Sequence, residues 1–152
     1  MKRPVFLYHG SAKLLKIIEP FQAHDWGYAE GCKKAVYVTS DRNIAIAFAL
    51  GARPDENGNV GRLMDKKYDK DNKMIFYQGH PNFGAKGYLY KLSSEGFTYT
   101  RGTQWVNSYS VTPVDTTEIN VDDFPLLWRY ATDKEKQQIE REICIARNKK
   151  AA

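Results

Sequence analysis

At 152 residues the chain has the length of one domain, enough to bury a continuous core without disulfide staples. Hydrophobic residues at 42% and charged residues at 27% exclude a disordered chain, and no apolar stretch approaches the length of a membrane-spanning helix. A net charge of +5 suits phosphate-bearing ligands but is too small to define a nucleic-acid binder by itself. Cys32 and Cys144 are the only cysteines, and with His9, His24 and His80 scattered along the chain they match no zinc spacing. A disulfide between the two is allowed but not forced. The N-terminal MKRPVFLYHGS has neither a long apolar run nor a small-residue cleavage site, so the expectation is a reduced, cytoplasmic, soluble protein.

Val5 to His9 predicts a strand, with Pro4 tolerated at its start and Gly10-Ser11 at its end. Lys13 to Glu19 reads as a helical turn or a short strand stopped by Pro20, and residues 21–34 as a loop interrupted by Gly27 and Gly31. Ala35 to Thr39 is a second strand. The helix after it has Ser40 as N-cap, Asp41 at the positive end of the dipole and Gly51 at the C′ position, with Ile44, Ala45 and Phe48 on one face. The polar stretch 52–72 reads as a mobile surface insertion. Strand-like runs follow at 74–78, 87–92, 97–101 and 104–114, with Pro113 weakening the end of the last or placing it at an edge. The segment FPLLWRY predicts a helical turn or two. Thr132 with Glu135 forms a capping box ahead of a terminal helix over 132–148, whose Ile139, Ile143 and Ala146 recur at helical spacing. Strands in the middle and segregated helices favour a single α+β domain over 1–152.

The chain has no dinucleotide fingerprint, P-loop, zincin motif or nucleophile elbow. Its notable feature is a strand ending Tyr8-His9-Gly10-Ser11, which sets an imidazole, a main chain without Cβ and a hydroxyl at one sheet edge. Glycine lets a planar ligand approach the main chain closely, where the amide groups can bond a carboxamide. Taken alone, the plainer reading is a satisfied histidine followed by a turn. Tyr37, at the end of the second strand, and Phe48, eleven positions on, are two rings able to face each other across a slot for a flat aromatic ligand. For each ring singly, core packing is the plainer role.

Together the segments YHGS at 8–11, VYVTSDRNIAIAFAL at 36–50 and GTQWVNSYSVTP at 102–113 resemble the ADP-ribosyltransferase superfamily. The resemblance is to the His-Tyr-Glu branch shared by diphtheria toxin and the poly(ADP-ribose) polymerases. It implies a split antiparallel β-sheet core with flanking helices, and NAD as co-substrate with no metal. It implies that His9 bonds the adenosine ribose, that the Gly10 main chain grips the nicotinamide carboxamide with help from Ser11, and that Tyr37 and Phe48 sandwich the nicotinamide ring. The loop 21–34 would lie over the cofactor, with Lys33 and Lys34 near enough to consider as pyrophosphate partners, although a solvated charge pair is the plainer account of them. The third triad position departs from the pattern: Gln104 stands where the branch places Glu, before Trp105 and Val106. Neutral Gln keeps a hydrogen bond to the ribose but loses the carboxylate field. Glu95 and Glu118 are the neighbouring carboxylates that a shifted alignment would use.

The resemblance therefore supports two expectations. One is an NAD-dependent ADP-ribosyltransferase with His9, Tyr37 and Gln104 as its catalytic set, passing ADP-ribose to a protein or nucleic-acid acceptor, as small toxins and phage effectors of the superfamily do. The other is a binding module on the same fold, holding NAD or stacking nucleic-acid bases on rings such as Tyr68, Tyr77, Phe83 and Trp128. Neither expectation involves a membrane, and both leave the oligomeric state open.

Overall fold

The computed structural model describes residues 2–22 and 34–151. The expected loop over 21–34, with His24, Cys32 and Lys33, lies outside the described residues except at its two ends. The chain forms β1 (Phe6–Ser11), β2 (Phe21–Gln22), β3 (Lys34–Thr39), α1 (Arg42–Ala49), β4 (Gly61–Leu63), β5 (Met74–Gln78) and β6 (Lys86–Ser93). It continues with β7 (Thr98–Arg101), β8 (Gln104–Asn107), β9 (Asp115–Asn120), β10 (Trp128–Tyr130) and α2 (Asp133–Ala151). This is a small α+β protein. Its large sheet has the order β7-β8-β3-β1-β6-β9, all antiparallel, with β2 added on β3; a small sheet has the order β10-β5-β4, in which only β10 and β5 are parallel.

Alternation along the strands divides the core in two. Leu7, Val36, Val38, Tyr90, Leu92, Phe97 and Trp105 bury one face of the large sheet. The other face receives α1. Gly10 and Gly87, on neighbouring strands, let the helix lie directly on the sheet: a Cβ on Gly10 would meet the Ala45 carbonyl oxygen at 1.7 Å, and one on Gly87 the Ala49 oxygen at 2.1 Å. Ile46 and Leu50 pack toward Leu89, Ile119 and Val121. Ala47, on the outer side of α1, meets Met74 and Phe76 of the small sheet. The helix is thus held between two sheets, and α2 packs against β5 with Ile139 fully buried.

Local chemistry explains most element ends. Asp41, rather than Ser40, is the N-cap of α1: its carboxylate accepts from the Asn43 and Ile44 amides, while the Ser40 amide is still committed to the sheet through the Thr103 carbonyl. Gly51 takes φ +67° after the last turn, as a C′ glycine does. Thr132 and Glu135 form the reciprocal capping box, at 2.9 and 3.1 Å.

Elsewhere the structure differs from the expectation. Residues 13–19 are neither helix nor strand: the buried Tyr90 hydroxyl accepts from the Leu15 amide and donates to the Lys13 carbonyl, and Ile18 makes a single bridge to Val111. The strand expected over 104–114 stops at Asn107, whose side chain turns the chain by accepting from the Tyr109 amide. Residues 52–72 carry β4 and turns closed by Asp55, Asp65 and Asp69 carboxylates. FPLLWRY contains β10, and Asp115–Asn120 forms an edge strand for which the sequence has no alternation.

Candidate functional site in the gap between β1 and β3

The large sheet opens between its two central strands. β1 and β3 pair at one position, Tyr8↔Thr39. The direction of the main chain follows from the other edge of β1. The Val5 carbonyl accepts from the Ser94 amide, opposite it on the β6 side, so odd-numbered residues of β1 turn their peptide groups to β6 and even-numbered ones to β3. In an unbroken ladder Gly10 would exchange hydrogen bonds with Tyr37. Instead the Tyr37 carbonyl accepts from Nδ1 of His9 at 2.8 Å. The imidazole acts as a rung across the gap, and the Gly10 main chain faces that gap with no residue paired to it on β3.

The same alternation assigns faces. Val36, Val38 and Trp105 belong to the far core, so Tyr37, Thr39, Gln104 and Val106 stand on the α1 face. Gln104 is opposite Thr39 and therefore diagonal to Tyr37. Thr39 and Thr103 hydroxyls bond at 2.7 Å and fix the start of β8. The Nε2 of Gln104 is buried and has no hydrogen-bond partner among the described residues. Tyr37 packs at 5.5 Å on Phe21 of β2, a ring that sequence reasoning assigned to a loop.

Phe48 completes the constellation. At 100° per residue, Ala45 and Ala49 define the side of α1 on the sheet and Ile46 and Leu50 the flank toward β9. Phe48 falls on the opposite flank, toward β3, and is 42% exposed. The Arg62 guanidinium lies over its ring, 5.5 Å from the centroid, and Nη1 donates to the Gly51 carbonyl at 3.0 Å. Burial lowers the Arg62 pKa from its ordinary value. No sequence signal singles out Arg62, which stands at a register shift between Gly61 and Arg62 in the β4–β5 pairing.

The structure thus brings Gly10, Tyr37, Phe48 and Gln104 to one side of the gap. His9 lies on the other face of β1, its ring 6.2 Å from Tyr90, and joins the group through the Tyr37 carbonyl. Burial outweighs that hydrogen bond and lowers the His9 pKa, which favours a neutral ring with Nδ1 as donor and Nε2 as acceptor. Ser11 is used otherwise: its hydroxyl accepts from the Lys13 amide in the turn after β1. Lys34 is exposed at the start of β3.

Neither alternative carboxylate reaches the gap. Glu118 is on edge strand β9, ion-paired with Lys86 at 3.2 Å, and Glu95 is in the exposed turn after β6. Of the four rings named for base stacking, Phe83 is exposed and stacks on His80 at 5.2 Å; Tyr68, Tyr77 and Trp128 are half-buried. A separate cavity of about 150 Å³, lined in part by Asp41, Asn43, Lys73 and Leu127, holds none of the predicted site residues. Among the described residues no three His, Cys, Asp or Glu side chains gather as a metal site, and no helix is long and apolar enough to cross a membrane. In comparison with known proteins, no family model, no curated protein and no solved structure matches the chain.

Proposed function

We propose that the chain is an ADP-ribosyltransferase-like protein that holds the nicotinamide end of NAD in the gap between β1 and β3. The observation that carries this reading is the Gly10 main chain, turned toward a gap that the His9 imidazole keeps open by taking the Tyr37 carbonyl. A peptide group presented in this way offers one donor and one acceptor, which is the complement of a carboxamide. Tyr37 and Phe48 supply the stacking surfaces. The unpartnered Gln104 amide supplies a donor for a ribose hydroxyl.

In the transferase reading, the bond between ribose C1′ and the nicotinamide nitrogen breaks with its electron pair leaving on nicotinamide, and an acceptor that gives up a proton takes the C1′ position. Gln104 orients the ribose, and Tyr37 shields the electron-poor carbon from water. A specific observation favours a second reading, a module that holds NAD without cleaving it: Gln104 is neutral, and neither Glu95 nor Glu118 reaches the gap to supply the missing charge.

The test is nicotinamide release from NAD by the purified chain, with His9→Ala and Tyr37→Ala as controls and protein and nucleic-acid acceptors added in turn. Release that both substitutions abolish is the transferase outcome. NAD-dependent thermal stabilisation without release is the module outcome. Neither release nor stabilisation would overturn both.

A further inference from the structure

The protein contains two half-buried guanidinium groups anchored to its small sheet, and their surroundings are opposite. Arg129, on β10, uses all three nitrogens: Nε on Asp69 at 2.7 Å, and Nη1 and Nη2 on the two Glu135 oxygens at 2.7 and 2.8 Å, with Tyr68 and Tyr130 carbonyls besides. Arg62, on β4, makes hydrogen bonds among the described residues through Nη1, to the Gly51 carbonyl at 3.0 Å and the Phe48 carbonyl at 3.5 Å. No carboxylate pairs with it among the described residues. A guanidinium carries five N–H donors, and withdrawing its charge from water without an anion is costly. The Phe48 and Gly51 carbonyls at the C-terminal end of α1 offset part of that charge but leave the Nε and Nη2 edge without a partner among the described residues.

The position of that edge matters. β4 lies in the sheet above α1, so Arg62 approaches the Phe48 ring from the side away from β1. Phe48 itself is on the flank of α1 toward β3, the strand that carries Tyr37. The gap itself contains no acidic side chain from β1, β3 or β8.

We infer that Arg62 is an anion anchor at the outer lip of the β1–β3 gap, so that the site takes a ligand carrying a phosphate group next to its planar ring and discriminates it from the free ring. This rests on the proposed ring slot for the planar part of the ligand; the anion part stands on Arg62 alone. Arg62 is then a specificity-determining residue, and its charge also disfavours an isolated cationic ring between Phe48 and Tyr37.

The experiment is titration of the full ¹⁵N-labelled chain with NAD, with nicotinamide and with inorganic pyrophosphate, for the wild type, Arg62→Gln and Arg62→Lys. The expected result is an NAD affinity at least about ten-fold weaker in Arg62→Gln, with nicotinamide affinity unchanged and Arg62→Lys intermediate. Pyrophosphate is expected to shift the Phe48, Gly51 and Arg62 amides in the wild type and not in Arg62→Gln. Equal loss of NAD and nicotinamide binding would overturn the inference, because Arg62 would then only shape the Phe48 ring. Absence of pyrophosphate shifts, with NAD binding indifferent to Arg62, would also overturn it. If pyrophosphate binds through Arg62 while nicotinamide and NAD leave Gly10 and Tyr37 unmoved, the anion anchor stands and the ring slot falls. Arg62→Lys keeps a cation at the α1 terminus, so the comparison survives if Arg62→Gln fails to fold.

Discussion

The regions around Arg129 and around Gly10 use the same kinds of groups to opposite ends. Around Arg129 the polar groups face one another, except the buried Tyr68 hydroxyl, which makes no hydrogen bond among the described residues. Asp69, Glu135 and the capping hydroxyl of Thr132 close a network that ties α2 to β10 and the turn after β4. Lys67 reaches Glu142 in the same region, and burial, together with that neighbouring carboxylate, pushes the Tyr68 phenol well above its ordinary range. Around Gly10 polar groups lack such partners: the Gly10 peptide has no residue paired to it on β3, the buried Gln104 Nε2 has no hydrogen bond among the described residues, and Arg62 bonds there through Nη1. Of these, the Gln104 Nε2 is the fully buried side-chain atom, and leaving such a donor unpaired costs about 1–3 kcal/mol of stability at that place. In the proposed reading, the difference separates a polar network that holds the architecture from one that takes a ligand.

The sharpest way to break the first region is Arg129→Ala. It leaves Asp69 and Glu135 as unpaired, largely buried carboxylates, and an expected loss of about 3–5 kcal/mol would undock α2, as read by urea unfolding and helical circular dichroism. Gly10→Ala breaks the second. Its methyl would meet the Ala45 carbonyl at 1.7 Å, so α1 must lift from the sheet; a loss of about 3 kcal/mol is expected, with ligand binding removed as well. Gln104→Leu sharpens the comparison because the two properties part company. Removing an unpartnered donor is expected to raise stability by about 1 kcal/mol, seen as a higher Tm, while NAD binding falls.

Acid titration separates the regions by pH. Arg129 holds the Glu135 carboxyl down to about 2, so its contribution is complete above the ordinary carboxyl value near 4.5 and fades as pH falls toward 2. The α2 helix is expected to loosen across that window, and Glu135→Gln to weaken the dependence without removing it, because the Asp69 and Glu142 carboxyls are also held below their ordinary value. His9 acts higher on the scale. Its pKa is lowered by burial, so its contribution is complete above about 6.5 and lost as pH falls through the folded value. Ligand affinity is expected to decline in that lower range in the wild type and to stay level in a His9→Gln variant, the smallest of these effects.

The sequence made the scaffold legible where one residue type has one use. Gly51 after an apolar run and Thr132 three positions before Glu135 mark helix ends through chemistry that acts within a single turn. The β1, β3 and β6 runs are buried enough to read as strands. β9 was not legible because only Ile119 of its six residues is buried, so an edge strand of this kind carries no alternation. β10 was mistaken for a helical turn because three residues inside a short apolar run fit either period. At the site, His9-Gly10 and Tyr37 could be named from their residue types. The exchange between them, an imidazole taking the carbonyl that a glycine would have used, depends on how two strands 28 residues apart diverge. Arg62 was beyond reach for a similar reason, since its place over Phe48 depends on how a three-residue strand with an irregular register meets α1.

The central claim is that the Gly10 peptide group is the recognition element, and its own amide resonance tests that most directly. On titrating the ¹⁵N-labelled chain with nicotinamide, the account predicts a saturable downfield shift of the Gly10 amide proton together with ring-current shifts near Tyr37 and Phe48. A Gly10 amide that does not move at saturating nicotinamide, in a chain whose spectrum is otherwise that of the folded protein, would contradict it.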